Sequence, residues 1–193
     1  WRQGVVSSSY GFFAGNFKYQ YDNYNDTFRW LPLSGDIAGL MAKTDLEFQP
    51  WYSPAGYTRG AIKNVVKLAF NPSQSERDLL YVAQINPVMT IRGEGTLLFG
   101  DKTLQVIASA FDRINVRRLF IEVKDFVVRQ ARLRLFEFNT PLTRESFKRQ
   151  INTYLQFVQD EQGLSDYRVI CDETNNTNAI IEENRFVADI YIK

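Results

Sequence analysis

Histidine is absent from the 193 residues, and there is one cysteine. Without imidazole the chain cannot itself supply a Ser-His or Cys-His pair, a His-bearing zinc site or an imidazole general base. The lone thiol, Cys171, cannot close a disulfide within the chain. Its neighbours Val169 and Ile170 predict a strand, and a buried, inert side chain is favoured there over a reactive one. Net charge is only +1, which removes any general drive toward nucleic acid or a membrane surface. No apolar run approaches the roughly 20 residues of a spanning helix, and no charged-then-apolar leader opens the chain. The first residue is Trp, not Met, so a fragment or processed product is expected.

Signature motifs are missing as well. There is no G-x-S-x-G elbow, no Cys-x-x-Cys and no phosphate loop; GEGTLLFG carries Gly93, Gly95 and Gly100 but lacks the Lys-Ser/Thr ending and the dinucleotide spacing. Adjacent carboxylates such as Glu182 and Glu183, or Asp172 and Glu173, point different ways and read as solvated surface. The cluster Asp22, Asn23, Asn25, Asp26 is turn chemistry; as a calcium loop it has Tyr24 at a ligand place and no closing Glu or central Gly. No catalytic, cofactor-binding or metal-ligating residue is nominated.

What is present suits a globular core, with 45% hydrophobic residues and many Tyr and Phe. The longest helical period lies in Ser109–Phe138. Val116, Leu119, Phe120, Val123, Phe126, Val127 and Ala131 fall within an arc of about 140°, a core-facing stripe. Ile121 and Val128 lie off it as a second apolar ridge, and Arg118, Glu122, Asp125 and Arg129 can pair on the opposite face. Helix is predicted over about Asn115–Arg132, followed by an extended segment to Asn139.

Upstream, Val5–Phe13 and Asn16–Tyr21 read as strands joined by Ala14-Gly15, and Thr27–Leu31 as a third. Ser34 is a candidate N-cap for a helix to Thr44. The Pro- and Gly-dense loop Gln49–Gly60 is the expected domain boundary. Ala61–Phe70 reads as a buried strand or an extended segment. Ser73 and Glu76 have capping-box spacing for a helix to about Gln84, and Val88–Ile91 with Thr96–Phe99 forms a hairpin. Downstream, Thr143 is expected to cap an amphipathic helix ended by Gly163, with strands at Tyr167–Cys171 and Phe186–Ile192. The fold class is α+β, a mixed sheet flanked by amphipathic helices plus part of an outer β-rich domain.

Charge is polarised. Residues 112–134 hold seven basic and three acidic side chains, a local net of +4; residues 160–193 hold eight acidic and three basic, a net of −5. The two regions suit either contact between copies or mutual contact within one fold.

The runs SAFDRINVRRLF, FEFNTPLTRESFKRQINTYLQ, YRVICDETNNT and FVADIYIK, with PWYSPAGYTRG and NPSQSERDLLYVAQINPV upstream, resemble the C-terminal region of contractile tail sheath proteins of bacteriophages. The resemblance covers about residue 50 to the end and is weaker over 1–49. It implies a structural subunit, not an enzyme, with residues 1–60 as the end of an outer domain plus linker and 61–193 as a core domain lacking its terminal arm. It further implies hexameric rings stacked helically around an inner tail tube, contacts to baseplate and tail terminator, and contraction by subunit rearrangement. Assembly would take place in the host cytoplasm, with residence in the virion, and without cofactor, nucleic acid or membrane insertion. Strand addition from neighbouring arms gives expected roles to three groups of residues. Arg113, Arg117, Arg118, Ile121, Lys124 and Val128 are expected at assembly or tube contacts. Phe186, Ala188, Ile190 and Ile192 are expected along a strand-accepting edge, and Trp51, Tyr52 and Pro54 at an interdomain joint. The competing class is a non-enzymatic nucleic-acid- or glycan-binding module.

Overall fold

The computed structural model describes residues 4–193. It is α+β, with eight strands distributed over three small sheets, every pairing antiparallel, rather than gathered in one mixed sheet. The chain divides into two compact units, Trp1–Phe120 and Ile121–Lys193.

In the first unit β1 (Phe17–Asp22) pairs with β2 (Thr27–Pro32) across the Asp22–Asp26 turn. There Asp22 accepts from the backbone N–H of Tyr24 at 3.0 Å and from Asn25 at 2.7 Å, so its oxygens serve the turn itself. The expected strand Val5–Phe13 is reduced to one bridge, Phe12 to Thr103. Its serines interrupt the ladder, Ser7 Oγ accepting from Val106 N–H at 3.1 Å. Helix α1 (Ser34–Glu47) buries Ile37, Leu40 and Thr44, but Ser34 is its first helical residue; Leu33 stands at the cap with no side-chain bond.

Ala61–Phe70 is an extended segment holding two short strands. β3 (Ala61–Ile62) pairs with β6 (Gly95–Leu98), and β4 (Lys67–Leu68) pairs with β1. Between them Asn64 takes a φ of +57°, which turns the chain from one sheet to the other. Helix α2 (Gln74–Val82) starts with the expected capping box, Ser73 and Glu76. β5 (Val88–Ile91) pairs with β6 as the expected hairpin. Leu33, Ile37, Leu40, Ile62, Val88 and Leu98 form the core of this unit. Asn86, wholly buried, fastens its base by donating to the carbonyls of Phe13 (2.9 Å) and Lys102 (2.8 Å) and accepting from Lys102 N–H (2.7 Å).

Helix α3 (Ile114–Arg132) agrees with its expected span to one residue, and the division between the units falls within it. Arg129 and Arg132 in its last turn complement the helix dipole. The following residues form successive turns, not the expected extended segment. Leu133–Leu135 alternation mimics a strand, yet among the described residues no strand pairs with it, and Phe136 adopts a φ of +70°.

Helix α4 (Pro141–Asp160) has its cap at Thr140, three residues before the expected Thr143. Thr140 Oγ1 accepts from Thr143 N–H at 3.2 Å, and Pro141 fills the first position, where its missing N–H costs nothing. Phe147, Ile151, Leu155 and Val158 are its buried face. Its end is a Schellman motif with Gln162, not Gly163, left-handed (φ +62°): Gly163 N–H reaches Val158 O at 2.8 Å and Gln162 N–H reaches Gln159 O at 2.9 Å. β7 (Tyr167–Ile170) pairs with β8 (Asp189–Ile192), with the helical turn α5 (Asn178–Glu182) between them. Phe186–Ala188, expected to be part of the last strand, lies before it. The Asn176 side chain takes the place of a partner strand there, accepting from Val187 N–H at 2.9 Å and donating to Val187 O at 2.8 Å.

Candidate assembly surfaces

Arg113, just before α3, and the basic residues of α3 are held differently from one another. Arg113 donates to Asp101 at 2.5 Å and lies near Asp112. Burial pulls its pKa down, the bond to Asp101 and the surrounding negative charge outweigh this, and the net direction is up. Arg117 lies between the rings of Tyr10 and Phe111, 4.3 and 4.0 Å from their centroids, and donates to Ser9 Oγ at 2.6 Å. Arg118, largely buried, is ion-paired with Asp45 of α1 and donates to Met41 O at 3.3 Å. It therefore does not pair with Glu122 as its spacing suggested; Glu122 faces Arg129 at 3.6 Å. Three of the four nominated cations are thus engaged within the first unit. Lys124 is exposed, as are Ile121 and Val128, the expected second ridge.

Ile190 and Ile192 lie on β8, in register with Val169 and Tyr167. The sheet has two strands, so among the described residues each has one unpaired edge. Phe186 and Ala188 precede the strand, with Phe186 packed edge-on against Phe147 at 5.4 Å between centroids.

Trp51 and Pro54 are buried within the first unit. Arg59 lies over Phe48 and Tyr52 at 5.3 and 5.2 Å and donates to Ser53 O at 2.7 Å. Gly56 and Gly60 bond the loop to β6 through Leu98: Gly56 N–H to Leu98 O at 2.9 Å and Leu98 N–H to Gly60 O at 2.8 Å. A Cβ on Gly60 would meet backbone atoms of Gly56 and Leu98 at 2.7 Å, so glycine is required there.

Residues 5–104 match the family model described as the phage tail sheath protein central domain, and residues 108–193 match the phage tail sheath C-terminal domain. The chain belongs to the phage tail sheath family. The tail sheath protein of Vibrio phage KVP40 is 55% identical over 188 residues, covering 97% of this chain and 28% of that protein. That of Enterobacteria phage T4 is 52% identical over 188 residues, with the same coverage of 97% and 28%. The chain thus spans less than a third of the length of the curated relatives it matches.

Among solved structures, the sheath complex of the extracellular contractile injection system PVC in its contracted state superposes with a TM-score of 0.88 at 22% identity. That match covers 98% of this chain and 54% of the other. The contracted helical sheath of the anti-feeding prophage gives 0.85 at 22% identity, covering 97% and 53%. At that identity the likeness establishes the fold, shared between phage sheaths and injection-system sheaths. Sequence reasoning missed the outward-facing apolar residues of the link between α3 and α4 in this sheath chain. Their signal was the cluster Leu133, Leu135, Phe136 and Phe138, read there as part of an extended segment, together with Leu142 in the first turn of α4.

Proposed function

We propose that the chain is part of a structural, non-enzymatic subunit of a contractile tail sheath. In this reading subunits polymerise as stacked hexameric rings around an inner tail tube, meet the baseplate and the tail terminator at its ends, and rearrange on contraction to drive the tube through the host envelope. The observation that carries it is family membership over nearly the whole chain, joined by a shared fold with sheath chains of contracted assemblies. The virion is the proposed location, after assembly in the host cytoplasm. Lys124, Ile121 and Val128 remain the exposed part of the proposed α3 contact surface, the free β7–β8 edges the proposed strand-accepting site, and Gln49–Gly60 the proposed joint to outer domains.

The nucleic-acid or glycan reading draws little support from the cations, since Arg113, Arg117 and Arg118 already have partners in the chain. Electron microscopy of the full-length protein tests the sheath reading. Long hollow cylinders are expected; only soluble monomers under assembly conditions would sink it.

A further inference from the structure

Loops ordinarily turn polar side chains outward. The link between α3 and α4 does the reverse. Arg134 Nη2 donates to Ser146 Oγ (3.0 Å) and Gln150 Oε1 (3.1 Å) on α4. Asn139 Nδ2 donates to Asn176 Oδ1 (3.1 Å) and Arg185 O (2.8 Å), and Arg144 Nη1 donates to Asn139 Oδ1 (2.9 Å). The backbone closes on itself through Arg134 N–H to Ala131 O at 2.9 Å and Glu137 N–H to Arg134 O at 3.2 Å. On this pinned frame the apolar side chains point away: Leu133 is 67% exposed, Leu135 64%, Phe136 104%, Phe138 84% and Leu142 77%. Phe136 holds its ring outward from a left-handed φ of +70°, which bulky residues rarely adopt. Five exposed apolar side chains within ten residues mark a contact surface.

We infer that this projection is a preformed knob that docks on a second copy of the chain, against the acidic surface formed by residues 160–193. The inference rests on the sheath reading and names the contact. Charge selects the occupant. The knob follows Arg132, exposed and making no ion pair among the described residues. Residues 160–193 carry −5, with Glu173 and Glu182 exposed and likewise without an ion pair among the described residues. The unit bearing both has ten basic and twelve acidic residues, a net of −2, which disfavours an anionic lipid surface or nucleic acid as the partner. A recess of about 390 Å³ lies at the edge of the acidic surface, lined by Pro141, Arg144 and Glu145 at the start of α4 and by the Cys171–Thr174 turn. Knob and acceptor come from different segments, so the contact can repeat head to tail as well as close into a reciprocal pair, and ladders beyond the dimer identify the first.

The test places the photo-cross-linking residue p-benzoylphenylalanine at position 136 and maps products by mass spectrometry, alongside sedimentation of the unlabelled chain. Expected are dimers and higher ladders whose cross-links fall in residues 160–193 of the second copy. Phe136→Asn should weaken self-association by about tenfold or more. That variant suits the left-handed φ, so circular dichroism and unfolding should confirm an intact fold. High salt should weaken association as well. Absence of self-association, cross-links confined to other segments, unchanged association in both Phe136→Asn and Phe138→Ser, or capture only by anionic vesicles would each overturn the inference. Cylinders formed by full-length Phe136→Asn would remove the knob and leave the sheath reading standing, whereas absence of cylinders from the unaltered protein removes the sheath reading itself.

Discussion

Two connections of similar length use their aromatic and apolar residues in opposite ways. Gln49–Gly60 buries Trp51 and Pro54, stacks Arg59 on two rings and bonds to β6 through two glycines. Residues 133–142 bury the polar groups of Arg134 and Asn139 against their surroundings and display two phenylalanines and three leucines. The comparison shows that the number of apolar residues in a loop says nothing about whether they stabilise the fold. What separates the two is which side chains find partners inside the unit. The first loop is part of a core, and the second is held in shape by polar anchors and contributes its apolar area only when something covers it.

The comparison can be broken most sharply at Trp51. Trp51→Ala should lower unfolding free energy by about 3–5 kcal/mol in urea titration, because a large buried side chain is replaced by a cavity. A loss under about 1 kcal/mol would place this loop with the displayed kind. Gly60→Ala follows at on the order of 3 kcal/mol, since the backbone atoms it would meet at 2.7 Å belong to paired segments that cannot move separately.

A pH series sharpens the other side, by showing that the second unit closes its own core beneath the displayed loop. Burial pushes the Cys171 thiol up to about 11, and burial with the nearby Glu122 charge pushes the Tyr154 phenol up to about 12. The folded chain therefore keeps protons that the unfolded chain releases. The contribution of these two groups should be constant below about pH 8.5, and stability should fall as pH rises toward 11, by on the order of 2 kcal/mol from Cys171, while Cys171→Ala loses that share of the slope. Rapid alkylation of the native thiol at pH 8 would contradict the closed core. The smallest effect is expected at the knob. Phe136→Asn should leave stability unchanged or raise it by up to about 1 kcal/mol, read as an unfolding midpoint, because strain is relieved and no internal contact is lost.

Much of this architecture was legible beforehand. The span of α3, the Ser73–Glu76 capping box and the β5–β6 hairpin follow from local periodicity and short-range bonding, and all stand where expected. The family was legible too, since whole runs of residues carry it. The caps of α1 and α4 were misplaced because Ser34 and Thr143 have the right chemistry one and three residues from where the chain enters the helix. The free cations of α3 were overcounted for a different reason. The partners of Arg117 and Arg118 are Ser9, Tyr10, Phe111 and Asp45, and three of these lie tens of residues away, at separations that no helical spacing encodes.

The sequence by itself determined the helices, the absence of histidine chemistry and the sheath family, because each is written in neighbouring residues or in composition. Only the tertiary structure decided which charged and apolar side chains are left over for a partner. That depends on long-range pairing: Asp45 takes Arg118, Asp101 takes Arg113, and Asn176 takes the edge of Val187. No such internal partner covers the ring of Phe136, which stays outside.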